Sequence, residues 1–201
     1  MLKPDEILDF WFGPLDAEGM PAKEKYSLWF SGSKQTDQLI RRRFHSYVTL
    51  ASENGLPDWE ETPQGRLALI LLLDQFSRNI YRGLALAFSN DRQARALCLD
   101  GVARGMDVDL PLVQRAFFYM PLQHSERRED QKRSVELFEQ LHATGKGPVK
   151  ELLKGFLDYA HDHLQVIERF GRFPHRNAVL KRPSTEAEIA YLDGGAPRYG
   201  Q

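Results

Sequence analysis

The stretch Pro148–Phe170, PVKELLKGFLDYAHDHLQVIERF, decides the fold class. Its apolar residues Leu153, Phe156, Leu157, Ala160, Leu164 and Ile167 recur at three- and four-residue intervals. That is the repeat of one face of an α-helix, in which i, i+3, i+4 and i+7 line up. A strand would need apolar and polar residues to alternate instead. Pro148 sits where a helix start tolerates proline, and Gly171 follows as a stop. On this reading His161 shares a face with Leu157 and Leu164 and looks inward, while Asp162 and His163 face water.

The same period runs outward in both directions. Pro4 opens a first helix with Asp5 and Glu6 in its first turn, and Gly13-Pro14 stops it. A short aromatic segment covers Lys23–Phe30. Ser33–Glu53 carries Leu39, Ile40, Phe44, Tyr47, Val48 and Ala51 on one buried face, with Arg41–Arg43 largely outside it. Thr62 caps the next helix with Pro63 at its first position, and Gly83 ends it. Ser89 or Asn90 starts another, which runs to Gly105. Pro111 restarts the chain, and Pro121 must kink or end that helix because it lacks an N–H. A segment from about Glu129 to Ala143 follows. Thr185 and Glu188 form a capping-box pattern for a last short helix.

No stretch of strict alternation flanked by turn pairs appears. The expectation is an all-α protein, a compact array of about eight or nine helices in antiparallel hairpins. One domain spans 1–192, with a frayed tail at 193–201. No convincing internal repeat near a 34-residue period stands out, so any solenoid character is degenerate.

Composition narrows the function classes. At 201 residues, with 42% hydrophobic and 27% charged residues, the chain can bury a core without staples. A net charge of −1 supplies no global field for nucleic acid or an anionic membrane. Cys98 is the lone cysteine, so no internal disulfide forms and a reducing compartment fits. The opening MLKPDEILDFWFGP places acids inside its apolar run, the wrong pattern for a signal peptide. LALILLL, Leu67–Leu73, is far too short to span a bilayer. A cytoplasmic location is expected.

Four segments carry the polar chemistry. In LLLDQFSRNIYRG, Asp74, Arg78 and Arg82 share one face if the helix persists, with Gln75 and Asn79 beside it. A helix carrying charge into a core must pair it, and an arginine fork suits a carboxylate or phosphate. In FFYMPLQHSE, His124, Ser125 and Glu126 follow Pro121; Ser125 or Asp130 otherwise simply caps the next helix. No nucleophile-elbow glycines surround Ser125, which argues against a serine hydrolase. In DYAHDHLQVIERF the histidine spacing matches no zinc helix. Finally, Arg169–Arg182 holds five basic residues and no acid, with His175, Arg176 and Asn177 fixed by Pro174. Its arginines suit an anion, or the acids and helix C-termini of neighbouring segments.

These segments, with DEILDFWFG at Asp5–Gly13, YMPLQHSE at Tyr119–Glu126 and FGRFPHRNAVLKRPST at Phe170–Thr185, resemble the helical domain-of-unknown-function family 924. The resemblance spans almost the whole chain in order. It implies an all-helical, tetratricopeptide-like fold and no activity. The family pattern falls on Asp74, Gln75, Arg78, Asn79, His124, Ser125, Glu126, His175, Arg176 and Asn177. Where the family reads L-G-R, Lys181 replaces the glycine, which puts the turn there in question.

The expected function is a polar pocket that binds a small anionic molecule. Arg78 and Arg176 grip the anion, His124 and His175 move protons, and Asp74 and Glu126 orient them. A tetratricopeptide-like scaffold for a peptide or protein partner, using exposed Trp11, Trp29 and Trp59, is a second expectation. A metal-dependent enzyme built on His124, His161, His175 and Glu126 is a third. No cofactor is assigned.

Overall fold

A computed structural model describes residues 3–196. Positions 197–201, most of the expected tail, lie outside the described residues. Helix α1 (Pro4–Trp11) starts on its proline, and α2 (Lys23–Phe30) follows. Helix α3 (Lys34–Ser52) is capped by Ser33, whose side chain accepts from the Thr36 N–H. A 3-10 turn at Pro57–Glu61 leads to α4 (Pro63–Ile70), capped by Thr62. The rod then widens into a π-helical turn at Leu71–Phe76 and continues as α5 (Ser77–Ile80). Helices α6 (Asp91–Ala103), α7 (Leu112–Gln123), α8 (Arg128–Thr144) and α9 (Gly147–Phe170) complete the body. A 3-10 turn at Pro174–Arg176 and α10 (Glu186–Asp193), with the capping box of Thr185 and Glu188, close the chain. Among the described residues no strand forms; one isolated bridge pairs Leu15 with Pro21.

The hairpin geometry can be read from side-chain partners. Gly145 approaches Leu153, Glu139 faces His161 at 3.9 Å, and Arg128 bonds Glu168 at 3.2 Å. As the α8 number falls the α9 number rises, so the two helices run antiparallel. Helices α7 and α8 pack side by side across the short link at 124–127.

The core is continuous from α1 to α9 and aromatic at its centre. Trp11, Phe12, Trp29, Phe76, Phe117 and Phe156 interlock with ring centroids 4.7–5.9 Å apart. Edge-to-face pairs of this kind add about 0.5–1.5 kcal/mol each beyond their buried area. Trp11 is 1% exposed, which corrects the expectation that it stands open for a partner; Trp29 and Trp59 are half-buried. Leu39, placed on the buried face of α3, is 38% exposed, because the face that packs runs through Ile40, Phe44, Val48 and Ala51. Cys98 is buried, and burial pushes its thiol up.

Pro121 lies inside α7, and the helix ends two residues later at Gln123. Gln131 Nε2 then donates to the carbonyls of Gln123 and Ser125, both at 2.6 Å, which closes that end. On α9 the two histidines trade places. The buried stripe is Leu153, Phe156, Ala160, His163 and Ile167, so His163 is 3% exposed and His161 lies on the half-exposed flank. Leu157 and Leu164, used to orient the helix, are themselves only half-buried.

A candidate polar cavity at the π turn

The segment LLLDQF enters the core apolar on every side and then presents Asp74 and Gln75. The π turn is stabilised where Ser77 Oγ donates to the Leu72 carbonyl at 3.2 Å. Such turns insert a residue into a helix and re-aim the side chains around it. Here Asp74, 0% exposed, meets His124 from the end of α7. The His124 Nδ1 lies 2.8 Å from Asp74 Oδ1, Gln75 Nε2 donates to Oδ2 at 2.6 Å, and Arg78 Nη1 is 2.9 Å from Oδ1.

Burial alone would raise the Asp74 pKa. The Arg78 charge and the hydrogen bonds from His124 and Gln75 outweigh it and hold the carboxyl well below the usual range. His124 moves oppositely to its partner's pull: burial, with Arg78 and Arg176 near, lowers its pKa despite Asp74. Asp74 is therefore ionised and His124 neutral. An ionised carboxylate only accepts, so Nδ1 carries the imidazole hydrogen and Nε2 is left as the acceptor. Among the described residues Nε2 has no hydrogen-bond partner.

That imidazole lines a cavity of about 220 Å³. Its polar wall is Gln75, Arg78, Asn79 and Arg82 from the π turn and beyond, with Gln123, His124 and His163. Its other wall is Trp29, Phe30, Phe156 and Tyr159, with Met120. The Gln123 side-chain Oε1 is buried with no hydrogen-bond partner among the described residues. His163, 6.3 Å from His124 between ring centroids, is driven down to about 3 by burial and by neighbouring charge. Its Nδ1 lies 2.7 Å from the Tyr159 carbonyl.

The arginines are already engaged by acids. Arg78 forks onto Asp91, with Nη1 at 2.9 Å and Nη2 at 3.1 Å, besides its pair with Asp74. Arg82 forks onto Asp37 at 2.7 and 2.9 Å, so it does not share the Asp74–Arg78 pairing; α5 ends at Ile80 and Gly83 turns the chain at φ +77. Arg176 lies between the Phe88 and Phe173 rings, 4.6 Å from each, and donates to the His124 carbonyl at 2.9 Å. Its Nη1 stands 3.5 Å from Asp91. Burial and the Arg78 charge lower Arg176 to about 10.

The remaining sequence candidates form the support behind this wall, and the cavity lining does not include them. Ser125 donates to Asp130 at 2.6 Å. Glu126 accepts both Arg182 nitrogens, at 2.7 and 2.9 Å, and the Phe173 N–H at 2.8 Å. Asn177 accepts from Arg182 at 3.0 Å and donates to Ser184. His175 is half-buried and is driven down to about 3, chiefly by burial and then by Arg176. Lys181 sits at φ +54, so the left-handed turn survives without the family's glycine. The acid-free stretch thus braces the Gln123–Glu126 corner from outside.

Asp91, Asp37 and the aromatic wall escaped the sequence reading. Asp91 stands in the first turn of α6, and nothing in sequence spacing links α2, α3 or α6 to the π turn. The proposed metal set does not converge: His161 lies on the outer flank and Glu126 is held by Arg182. Among the described residues no group of three or more His, Cys, Asp or Glu stands where it could hold a metal ion.

A family model described as a bacterial protein of unknown function, DUF924, matches residues 7–196. The chain belongs to this family. A solved structure of a protein of unknown function from Agrobacterium tumefaciens is similar, with 34% identity and a TM-score of 0.81. The match covers 96% of this chain and 97% of that one. No curated protein matches the chain. No helix among the described residues is long and apolar enough to cross a membrane.

Proposed function

We propose that this DUF924 protein binds a small anion in the cavity and takes up a proton on His124 as it does so. The observation that carries this is the buried Asp74 at 2.8 Å from Nδ1 of His124, a ring that lines the cavity and whose Nε2 has no hydrogen-bond partner among the described residues. The side chains of Arg78 and Arg82 are balanced by Asp74, Asp91 and Asp37, so a bare anion gains little from them alone. Protonating His124 changes that balance. The imidazolium gains a carboxylate on one side and the ligand on the other, and Asp74 stabilises it. The Arg78 Nε–H, which has no hydrogen-bond partner among the described residues, adds a donor. Arg176 supports the site by holding the His124 carbonyl rather than by touching the ligand. The same Nε2 is the atom that would accept a proton from a bound substrate.

Isothermal titration with acetate and inorganic phosphate, in two buffers of different ionisation heat, tests this. The expected result is uptake of about one proton per anion, with affinity falling about tenfold per pH unit above the His124 pKa. His124→Asn should show no proton uptake and should bind the anion more weakly than the wild type. Anion binding with no proton exchange in the wild type, or no binding at any pH from 5 to 8, would overturn the proposal.

A further inference from the structure

The unpaired hydrogen-bonding valences of the cavity wall, together with its opposite face, define a ligand class. Asp74 takes the Gln75 amide N–H at 2.6 Å, and Asp37 takes the Asn79 amide N–H at 2.9 Å. Because ionised carboxylates only accept, both amides are held with nitrogen toward the acid. Gln75 Oε1 and Asn79 Oδ1 are left as acceptors with no partner among the described residues. A simple carboxylate cannot satisfy them, since oxygen would meet oxygen. They need a donor on the ligand. On the same wall the Arg78 Nε–H and a protonated His124 need an acceptor.

The facing wall is aromatic. Phe30 and Phe156 stand 6.1 Å apart, and Trp29 and Tyr159 flank them. A dry apolar cavity of about 150 Å³ holds one benzene ring. At about 220 Å³ this cavity has room for one ring and a small head group, not for two rings.

Resting on the anion reading above, we propose that the ligand is a single-ring hydroxyaromatic carboxylate. The ring lies against Phe30 and Phe156. The carboxylate faces His124 and Arg78, and the hydroxyl donates to Gln75 Oε1 or Asn79 Oδ1.

The test titrates the full chain with 4-hydroxybenzoate, 3-hydroxybenzoate, benzoate and acetate, and follows the Trp29 indole N–H by NMR. One hydroxybenzoate should bind about tenfold tighter than benzoate, the value of one hydrogen bond. Benzoate should bind at least a hundredfold tighter than acetate, and only the ring compounds should shift the Trp29 signal strongly. Gln75→Met and Asn79→Ala should bring the ratio of hydroxybenzoate to benzoate affinity to about one. If a variant fails to fold, ligand-detected saturation transfer from the aromatic protons of the wild type reads the same ring contact. Acetate binding with proton uptake as tightly as the hydroxybenzoates would overturn the ligand class and leave the anion reading standing. Hydroxybenzoate binding without proton uptake would overturn the anion reading instead. No binding by any probe would overturn both.

Discussion

Asp74→Asn removes one charge and almost no volume from the centre of the site. The carboxylate is 0% exposed and engages Arg78 at 2.9 Å, His124 at 2.8 Å and Gln75 at 2.6 Å. Breaking a buried pair by removing one partner costs about 3–5 kcal/mol, because the other charge stays buried. Asp91 still neutralises Arg78 here, so the lower end applies, about 3 kcal/mol. For a chain of this size each kcal/mol moves the melting temperature by about 2–4 °C, giving a fall of about 6–12 °C. Urea denaturation and calorimetry at pH 7 measure it. The pH dependence supplies a second check. The native carboxyl titrates below its unfolded value near 3.9, so its contribution is full above that value. It is lost as pH falls through the native value. The gap between wild type and Asp74→Asn must therefore narrow below about pH 4. A cost under about 1 kcal/mol at pH 7, or a gap that stays constant into acid, would refute the assignment of Asp74 as the ionised anchor.

Three other perturbations follow from the structure. Lys181→Gly relieves a side chain from φ +54 and should stabilise the fold by about 0.5–1 kcal/mol, the left-handed penalty less glycine's entropy, read as a higher urea midpoint. Gly101→Ala places a Cβ 2.5 Å from Phe118 Cζ and 2.7 Å from Arg66 Cδ, and should destabilise by about 1–3 kcal/mol in the same assay. His163 and His175 are held neutral, each near 3, so their stabilisation is complete above the unfolded value of about 6.5 and is lost as pH falls. Between pH 7 and pH 5 each should lose about 2 kcal/mol, and His163→Gln should remove its own share of that slope.

Local chemistry set the helices, and the sequence therefore declared them. Pro4, Thr62-Pro63, Ser33, Gly171 and the Thr185/Glu188 box act within one turn of their own position, and each stands where its type predicts. The all-α class follows from a period that any window of α9 displays. The candidate site was legible in part for the same reason. Asp74 and Arg78 are one helical turn apart, and they pair.

The rest depended on contacts that chain order does not encode. A helical stripe is about 100° wide, and His161 and His163 lie on opposite margins of the apolar set on α9; only packing against α7 and α8 chose His163. Asp91 became the shared counter-ion of Arg78 and Arg176 because three distant segments converge on it. Arg176 turned inward onto the His124 carbonyl, not onto the cavity, because Phe88 and Phe173 enclose it. Sequence by itself determined which residues are helical and that the segment with Asp74 and Arg78 carries charge into the core, since propensity, capping and helical period act locally. Tertiary structure alone decided which of those groups neutralise each other and which keep an open valence toward the cavity, since charge pairing is settled by distance in space.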